Sequence, residues 1–283
     1  MLNLKILITG ASGQLGKELI RRLRGTDFLA TSTKEMDITD PSATHDIISR
    51  YKPDVVIHGA AYTNVDGAEQ NADLAYKINA IGTQNVAAAC LKCNAKMVYI
   101  STDYVFDGAL GRAYQEFDQP NPQNIYGKSK LAGEILAKHI LNKLFVVRTS
   151  WLYGDGNNFV RTMLKLGQQK DTLHVVNDQY GCPTSAKDLV TAILALIETE
   201  HYGIFHAVNT GVTTWFHLAE KIFELANLKN VKVLPQTTEQ LGRPAPRPLY
   251  APLDNLMLRL TIGDVMQPWE AALSEYIKQE LSN

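Results

Sequence analysis

Cysteine is scarce in this chain, three residues among 283, and the number is odd. A disulfide framework needs pairs, so the count points to a reducing compartment and away from a stapled secreted fold. An excess of either charge is missing too: 28 Lys and Arg stand against 29 Asp and Glu, for a formal net charge of −1. That balance offers no basic surface to nucleic acid and no polybasic run to a membrane. Long apolar runs are also lacking. Val55-Val-Ile57 is typical of those present and is far too short to span a bilayer. The opening Met1-Leu-Asn-Leu-Lys-Ile enters a strand almost at once, unlike a secretory leader, and a cytoplasmic location is expected. Cys90-Leu-Lys-Cys93 has redox or zinc spacing. It lacks a second pair or a nearby histidine and falls at the end of a helical stretch, so it reads as structural.

What is present is an ordinary globular composition, 45% hydrophobic and 20% charged, in a length that suits one large α/β domain with a smaller lobe. Short apolar runs at residues 5–9, 28–32, 54–58, 96–101 and 144–149 alternate with helical patterns at 14–23, 41–51, 72–93 and 124–141. Such alternation predicts a parallel sheet with helices on both faces, a Rossmann-like doubly wound α/β fold. Residues 1–150 are expected to form the dinucleotide-binding domain, with a returning segment near 173–200. Residues 151–283 should form mainly a substrate-binding lobe. Prolines at 235, 244, 246, 248 and 252 predict that 235–252 is irregular. A last helix is expected from Pro268-Trp269 onward.

Two motifs carry the chemistry. Gly10-Ala-Ser-Gly13-Gln-Leu-Gly16 stands where the first strand must end and a helix begin. Gly10 permits the tight turn, Gly13 admits backbone amides to a pyrophosphate, and Gly16 lets the helix pack on the sheet. The helix N-terminus then faces negative charge. The end of the second strand, Ala30-Thr-Ser-Thr-Lys34, has no acid to hold ribose hydroxyls. Ser32, Thr33 and Lys34 could greet a phosphate there, which leans toward NADPH with NADH still open. The second motif is Tyr126-Gly-Lys-Ser-Lys130. Its tyrosine and lysine lie one helical turn apart and share a face. A lysine cation beside a phenol favours the phenolate, so Lys130 is expected to draw Tyr126 toward working pH as a proton donor. Thr102 follows the fourth strand at the carboxyl edge, where ligands bind in such sheets, and supplies a hydroxyl for a substrate oxygen.

These residues carry a family resemblance. The chain resembles the extended short-chain dehydrogenases/reductases and, within them, the dTDP-4-dehydrorhamnose reductases. The glycine and tyrosine motifs are shared by the whole superfamily. Ala60-Ala-Tyr-Thr-Asn-Val-Asp66, Ser101-Thr-Asp-Tyr-Val-Phe-Asp107, Arg148-Thr-Ser-Trp-Leu-Tyr-Gly154 and Asp178-Gln-Tyr-Gly-Cys-Pro-Thr184 complete the match in order, over about two thirds of the chain. The resemblance implies reduction of dTDP-4-dehydro-β-L-rhamnose by NAD(P)H in dTDP-rhamnose biosynthesis for cell-surface polysaccharide, with Thr102, Tyr126 and Lys130 as the catalytic set. It implies cofactor contacts from Gly10, Ser12, Gly13, Gln14, Leu15, Asp37, Ile38, Ala60, Ala61, Tyr62, Thr63 and Lys130, alongside Ser32. Asn79 matches a family asparagine that supports the site and is placed with the cofactor residues. Thr102, Asp103, Tyr104 and Trp151 are expected to hold the sugar; Trp151 has a plain core reading as well.

Related 4,6-dehydratases carry Thr-Asp-Glu where this chain has Thr102-Asp103-Tyr104. Without that acid pair, elimination is disfavoured and carbonyl reduction remains. Some family members bridge subunits through glutamate-bound magnesium. Glu18 matches one such position, the others find no match, and no metal is assigned. A homodimer stays open. Arg161, Arg243 and Arg247 are candidates for the substrate diphosphate, since a guanidinium fork fits phosphate. Two rival readings remain: another NDP-sugar reductase or epimerase, and a non-catalytic regulatory relative such as the β subunit of methionine adenosyltransferase.

Overall fold

The computed structural model describes residues 4–282. Met1, Leu2, Asn3 and Asn283 lie outside the described residues. The first half builds the sheet in the anticipated rhythm. Strand β1 (Ile6–Thr9) leads to α1 (Gln14–Arg22), then β2 (Phe28–Thr31), α2 (Pro41–Tyr51) and β3 (Val55–His58). After the short α3 (Val65–Gln70) come α4 (Ala72–Tyr76) and α5 (Thr83–Cys93), then β4 (Lys96–Thr102), α6 (Ile125–Ile140) and β5 (Leu144–Thr149). Every residue of β1, β3 and β5 is buried, as both faces of a parallel sheet require.

The second half is made of shorter pieces. These are β6 (Leu152–Tyr153), α7 (Phe159–Gly167), β7 (Thr172–Val176), β8 (Tyr180–Gly181), β9 (Thr184–Ser185) and α8 (Ala186–Ile197). Strands β10 (Gly203–His206) and β11 (Thr213–Thr214) precede α9 (Trp215–Leu225), and β12 (Lys232–Gln236) precedes α10 (Thr238–Leu241). Helices α11 (Leu256–Ile262) and α12 (Trp269–Ser282) close the chain. The main sheet has six parallel strands in the order β2-β1-β3-β4-β5-β10. The strand order reverses direction between β1 and β3, the switch point at which a crevice opens beyond the carboxyl ends of the strands.

One face of the sheet is covered by α1, α8 and α11, whose Leu19, Ile193 and Leu258 share a core with Ile6, Ile8 and Val147. The other face packs Ile48, Val86 and Ala137 against Leu7, Val56 and Val146. A separate cluster of Val160, Met163, Leu218, Phe223, Leu273 and Ile277 forms the core of the lobe.

Three local differences from the sequence reading have physical causes. The expected helix over 72–93 is interrupted by a π-helical segment, Lys77–Gly82. It brings Gly82 so close to Ile38 that a Cβ there would lie 2.7 Å from its Cδ1. The expected return near 173–200 divides: β7 pairs with β12 in the lobe, while α8 packs on α1 and β10 joins the main sheet. Finally, 235–252 is not wholly irregular. Pro235 belongs to β12, whose outer edge needs no ladder donor, and Thr237 with Gln240 forms a capping box that starts α10.

Candidate active site

The turn after β1 is built from contacts that exclude a side chain. Gly10 has φ +73°, and a Cβ on it would lie 2.7 Å from the Ala60 nitrogen. A Cβ on Gly16 would lie 2.4 Å from the Gly10 carbonyl oxygen. Gly13 caps α1 by position alone; among the described residues no side chain accepts from the amides of its first turn. Gly13 also stands in the wall of a cavity of about 470 Å³, lined by Ser12, Ser32, Asp37, Ile38 and Ala60 among others. A second cavity, of about 600 Å³, shares Gly10, Ser12, Gly13, Gly59, Ala61 and Thr63 with the first. It continues to Gln14, Leu15, Thr102, Asp103, Tyr104, Tyr126, Lys130 and Trp151. The glycine turn and the tyrosine motif therefore open onto one continuous crevice. Its bare backbone cradle suits the pyrophosphate of a dinucleotide, so the residues present fit a nicotinamide cofactor.

Hydrogen bonds hold the crevice walls. The Thr9 hydroxyl pairs with His58 Nδ1 at 2.7 Å and accepts from the Ala60 amide at 3.2 Å. Burial pulls the His58 imidazole down to about 3, so it works as a neutral clamp between β1 and β3. Tyr62 and Asn79 line neither cavity. The Asn79 side chain instead accepts from the Tyr62 amide at 2.8 Å and donates to the Tyr62 carbonyl at 3.1 Å and to Ser129 Oγ at 2.9 Å. Ser129 in turn donates to the Tyr126 carbonyl. Asn79 is thus a brace between the loop after β3 and α6, and it makes these contacts outside both cavities.

At the chemical end, Asn124 caps α6 by accepting from the Gly127 amide at 2.8 Å, which fixes Tyr126 at the helix start. A Cβ on Gly127 would lie 2.1 Å from the Tyr104 carbonyl oxygen, so glycine permits this helix to approach the turn after β4 closely. The Tyr104 and Tyr126 rings meet edge to face at 5.7 Å. Thr102 donates to Asp103 at 3.0 Å and accepts from the Tyr104 amide at 3.2 Å. Burial pushes the Asp103 carboxyl up to about 7.

Lys130 behaves differently from the sequence expectation. Its Nζ donates to the Ile100 carbonyl at 2.6 Å and lies 4.2 Å from the Tyr99 ring centroid. Burial pulls it down to about 7, with the Glu134 charge opposing. Burial also pushes the Tyr126 phenol up to about 12, against a hydrogen bond with Thr102. Desolvation therefore dominates the phenol, and Tyr126 holds its proton at neutral pH, the state a proton donor needs.

The lysine shift has a measurable consequence. A lysine at about 7 in the fold and 10.5 when unfolded takes up a proton on unfolding between those values. More protons bound by the unfolded chain means that stability rises with pH, by at most about 1.4 kcal/mol per pH unit. We expect the urea midpoint to rise from pH 7.5 to 8.5, and Lys130→Met to flatten that rise. An equal slope in both proteins would contradict the lowered titration point of the buried lysine.

Several expected residues are occupied elsewhere. Glu18 pairs with Arg21, and among the described residues no group of three His, Cys, Asp or Glu could hold a metal ion. Arg161 is bound to Glu280 at 2.6 Å and Asp155 at 3.0 Å. Arg247 and Arg243 reach Asp66 at 2.6 and 3.5 Å. None of the three arginines lines the crevice. Cys90 and Cys182 are buried free thiols. Sequence reasoning missed Trp215, which stacks on Trp151 at 3.6 Å and lines the second cavity. Trp151 itself has φ +46°, and a Cβ on Gly181 would collide with its ring. No local pattern links residues 151 and 215; the only cue is Thr214, which caps α9 just ahead of Trp215.

Fold and crevice together define a dinucleotide-binding oxidoreductase of the doubly wound α/β class. The family model described as the RmlD substrate binding domain matches residues 4–282, and the chain belongs to that family. It is 41% identical to the spore coat polysaccharide biosynthesis protein SpsK of Bacillus subtilis, covering 98% of each chain. It is also 41% identical to a dTDP-4-dehydrorhamnose reductase of Mycobacterium tuberculosis, over 95% of this chain and 91% of the other. A crystal structure of dTDP-4-dehydrorhamnose reductase from Bacillus anthracis in complex with NADP superposes with a TM-score of 0.96 at 47% identity, covering 98% of this chain and 100% of that one.

Proposed function

We propose that the protein reduces dTDP-4-dehydro-β-L-rhamnose to dTDP-L-rhamnose with NADPH, as its relatives' names indicate. The observation that carries the reading is the single crevice joining the glycine cradle to Thr102, Tyr126 and Lys130. When bound, the reduced nicotinamide supplies a hydride to the sugar C4. The Thr102 hydroxyl holds the carbonyl oxygen, and Tyr126 gives that oxygen its phenolic proton. The Lys130 ammonium, one helical turn on, balances the phenolate left behind. Tyr104 stands where an elimination catalyst needs an acid, so the site reduces without removing water. Asp103, Tyr104 and the stacked Trp151 and Trp215 form the sugar side of the crevice.

In this scheme residues 1–150, closed by α8 and β10, bind the dinucleotide, and the remaining lobe binds the sugar nucleotide. Among the described residues no helix is long and apolar enough to cross a membrane. A cytoplasmic setting, where nucleotide sugars and reduced dinucleotides meet, completes the reading. Loss of NADPH absorbance on adding the 4-keto sugar nucleotide tests it. Oxidation should require that substrate and fail with UDP-glucose. No oxidation with the keto sugar would leave a binding role without catalysis.

A further inference from the structure

The end of β2 carries a negative charge that its own residues do not reveal. Glu35 folds back over the turn. The Ser32 amide donates to its carboxylate at 2.8 Å, and the Ser32 hydroxyl donates to the same oxygen. The Lys34 amide then donates to Ser32 Oγ at 3.3 Å. These bonds hold the Glu35 carboxyl below the usual range. Ser32 and Thr33 line the first cavity, so the acid is anchored on a residue of the cavity wall. Glu35 itself lines a separate groove, shared with Lys5 and Arg50, yet no ion pair to it forms among the described residues. Among the described residues, Lys77 is the only cation lining the first cavity and Asp37 the only acid. Asp37 already accepts from the Thr39 amide and hydroxyl at 2.9 Å.

An adenosine ribose laid at the end of a second strand presents its 2′ position to that strand end. We infer that Glu35 is a specificity-determining residue, whose carboxylate on the Ser32 amide favours the 2′-hydroxyl of NADH and penalises the 2′-phosphate of NADPH. The inference rests on reading the first cavity as the adenosine end of a nicotinamide dinucleotide. A 2′-hydroxyl can donate to the carboxylate, whereas a phosphate dianion meets a like charge, offset by Lys77 in the cavity wall and Lys34 on the same turn. NADH therefore remains a competent ligand beside NADPH, and Glu35 limits the preference for the phosphorylated form.

The test is binding without sugar. Calorimetric titration of NADH and NADPH into the wild type, Glu35→Gln and Glu35→Ala compares the ratio of dissociation constants. The glutamine keeps an acceptor for Ser32 and loses the charge. Both variants should shift the ratio toward NADPH roughly 3- to 10-fold at low salt, and the shift should shrink in molar salt as exposed charges are screened. A merely structural Glu35 would change both affinities alike and show no salt dependence. A ratio unchanged within about twofold in both variants overturns the inference while the cofactor reading stands. A wild type that binds neither dinucleotide overturns both.

Discussion

Tyr126→Phe should lower turnover at least ~100-fold, the usual scale for losing a general acid, while NADPH affinity stays near that of the wild type. The substitution removes one hydroxyl and keeps the ring that packs edge to face against Tyr104. Tyr126 lies in the wall of the same cavity as Thr102 and Lys130, and burial holds its phenol up at about 12. It is therefore a proton carrier at neutral pH and not a standing phenolate. Rapid-quench measurement of a single turnover, with cofactor binding measured alongside, separates the two effects. A variant turning over like the wild type would remove Tyr126 from the chemistry. A variant that no longer binds NADPH would make the residue a structural element.

The largest expected effect on stability lies behind the site. Arg148 and Glu134 form a bidentate pair at 2.9 and 2.7 Å, with side chains 1% and 2% exposed. Ser101, the cross-strand neighbour of Arg148, donates to the same carboxylate at 2.5 Å. The guanidinium also lies 5.1 Å from the Phe106 ring centroid. Two charges buried this way contribute little net stability as a pair, because desolvation offsets their attraction. Removing one strands the other. Arg148→Met should cost about 3–5 kcal/mol and lower the melting temperature by roughly 10 °C. Replacing both, Arg148→Met with Glu134→Leu, should recover most of the loss. Calorimetric melting of the three proteins decides it. A single variant within about 1 kcal/mol of the wild type would mean that water reaches the pair.

The fold was legible because its signals are local. Each apolar run of the first 150 residues became a strand of the main sheet, and Gly10, Gly13 and Gly16 stand where a strand gives way to a helix. The family was legible in the same blocks, since the motifs around Thr102 and Tyr126 each lie within one short segment. What escaped the sequence depends on distant contacts. Trp215 joins Trp151 through the lobe, and Asp66 engages Arg247 across 181 positions of chain. The bracing contacts of Asn79 with Tyr62 were also hidden, since a π-helical segment carries it there. Arg161 had two carboxylate partners that no motif announced. Desolvation was the other hidden quantity: spacing placed Lys130 one turn from Tyr126, but only the packed interior shows burial dominating the titration of each.

The central claim is that hydride reaches the sugar C4 while Tyr126 protonates its oxygen. The direct measurement supplies NADPH deuterated at the transferable position, together with dTDP-4-dehydro-β-L-rhamnose, and reads the product by NMR. The account predicts dTDP-L-rhamnose with deuterium at C4, formed by the wild type and nearly absent with Tyr126→Phe. Deuterium elsewhere on the sugar, or an epimerised sugar formed with no net loss of NADPH, would contradict it.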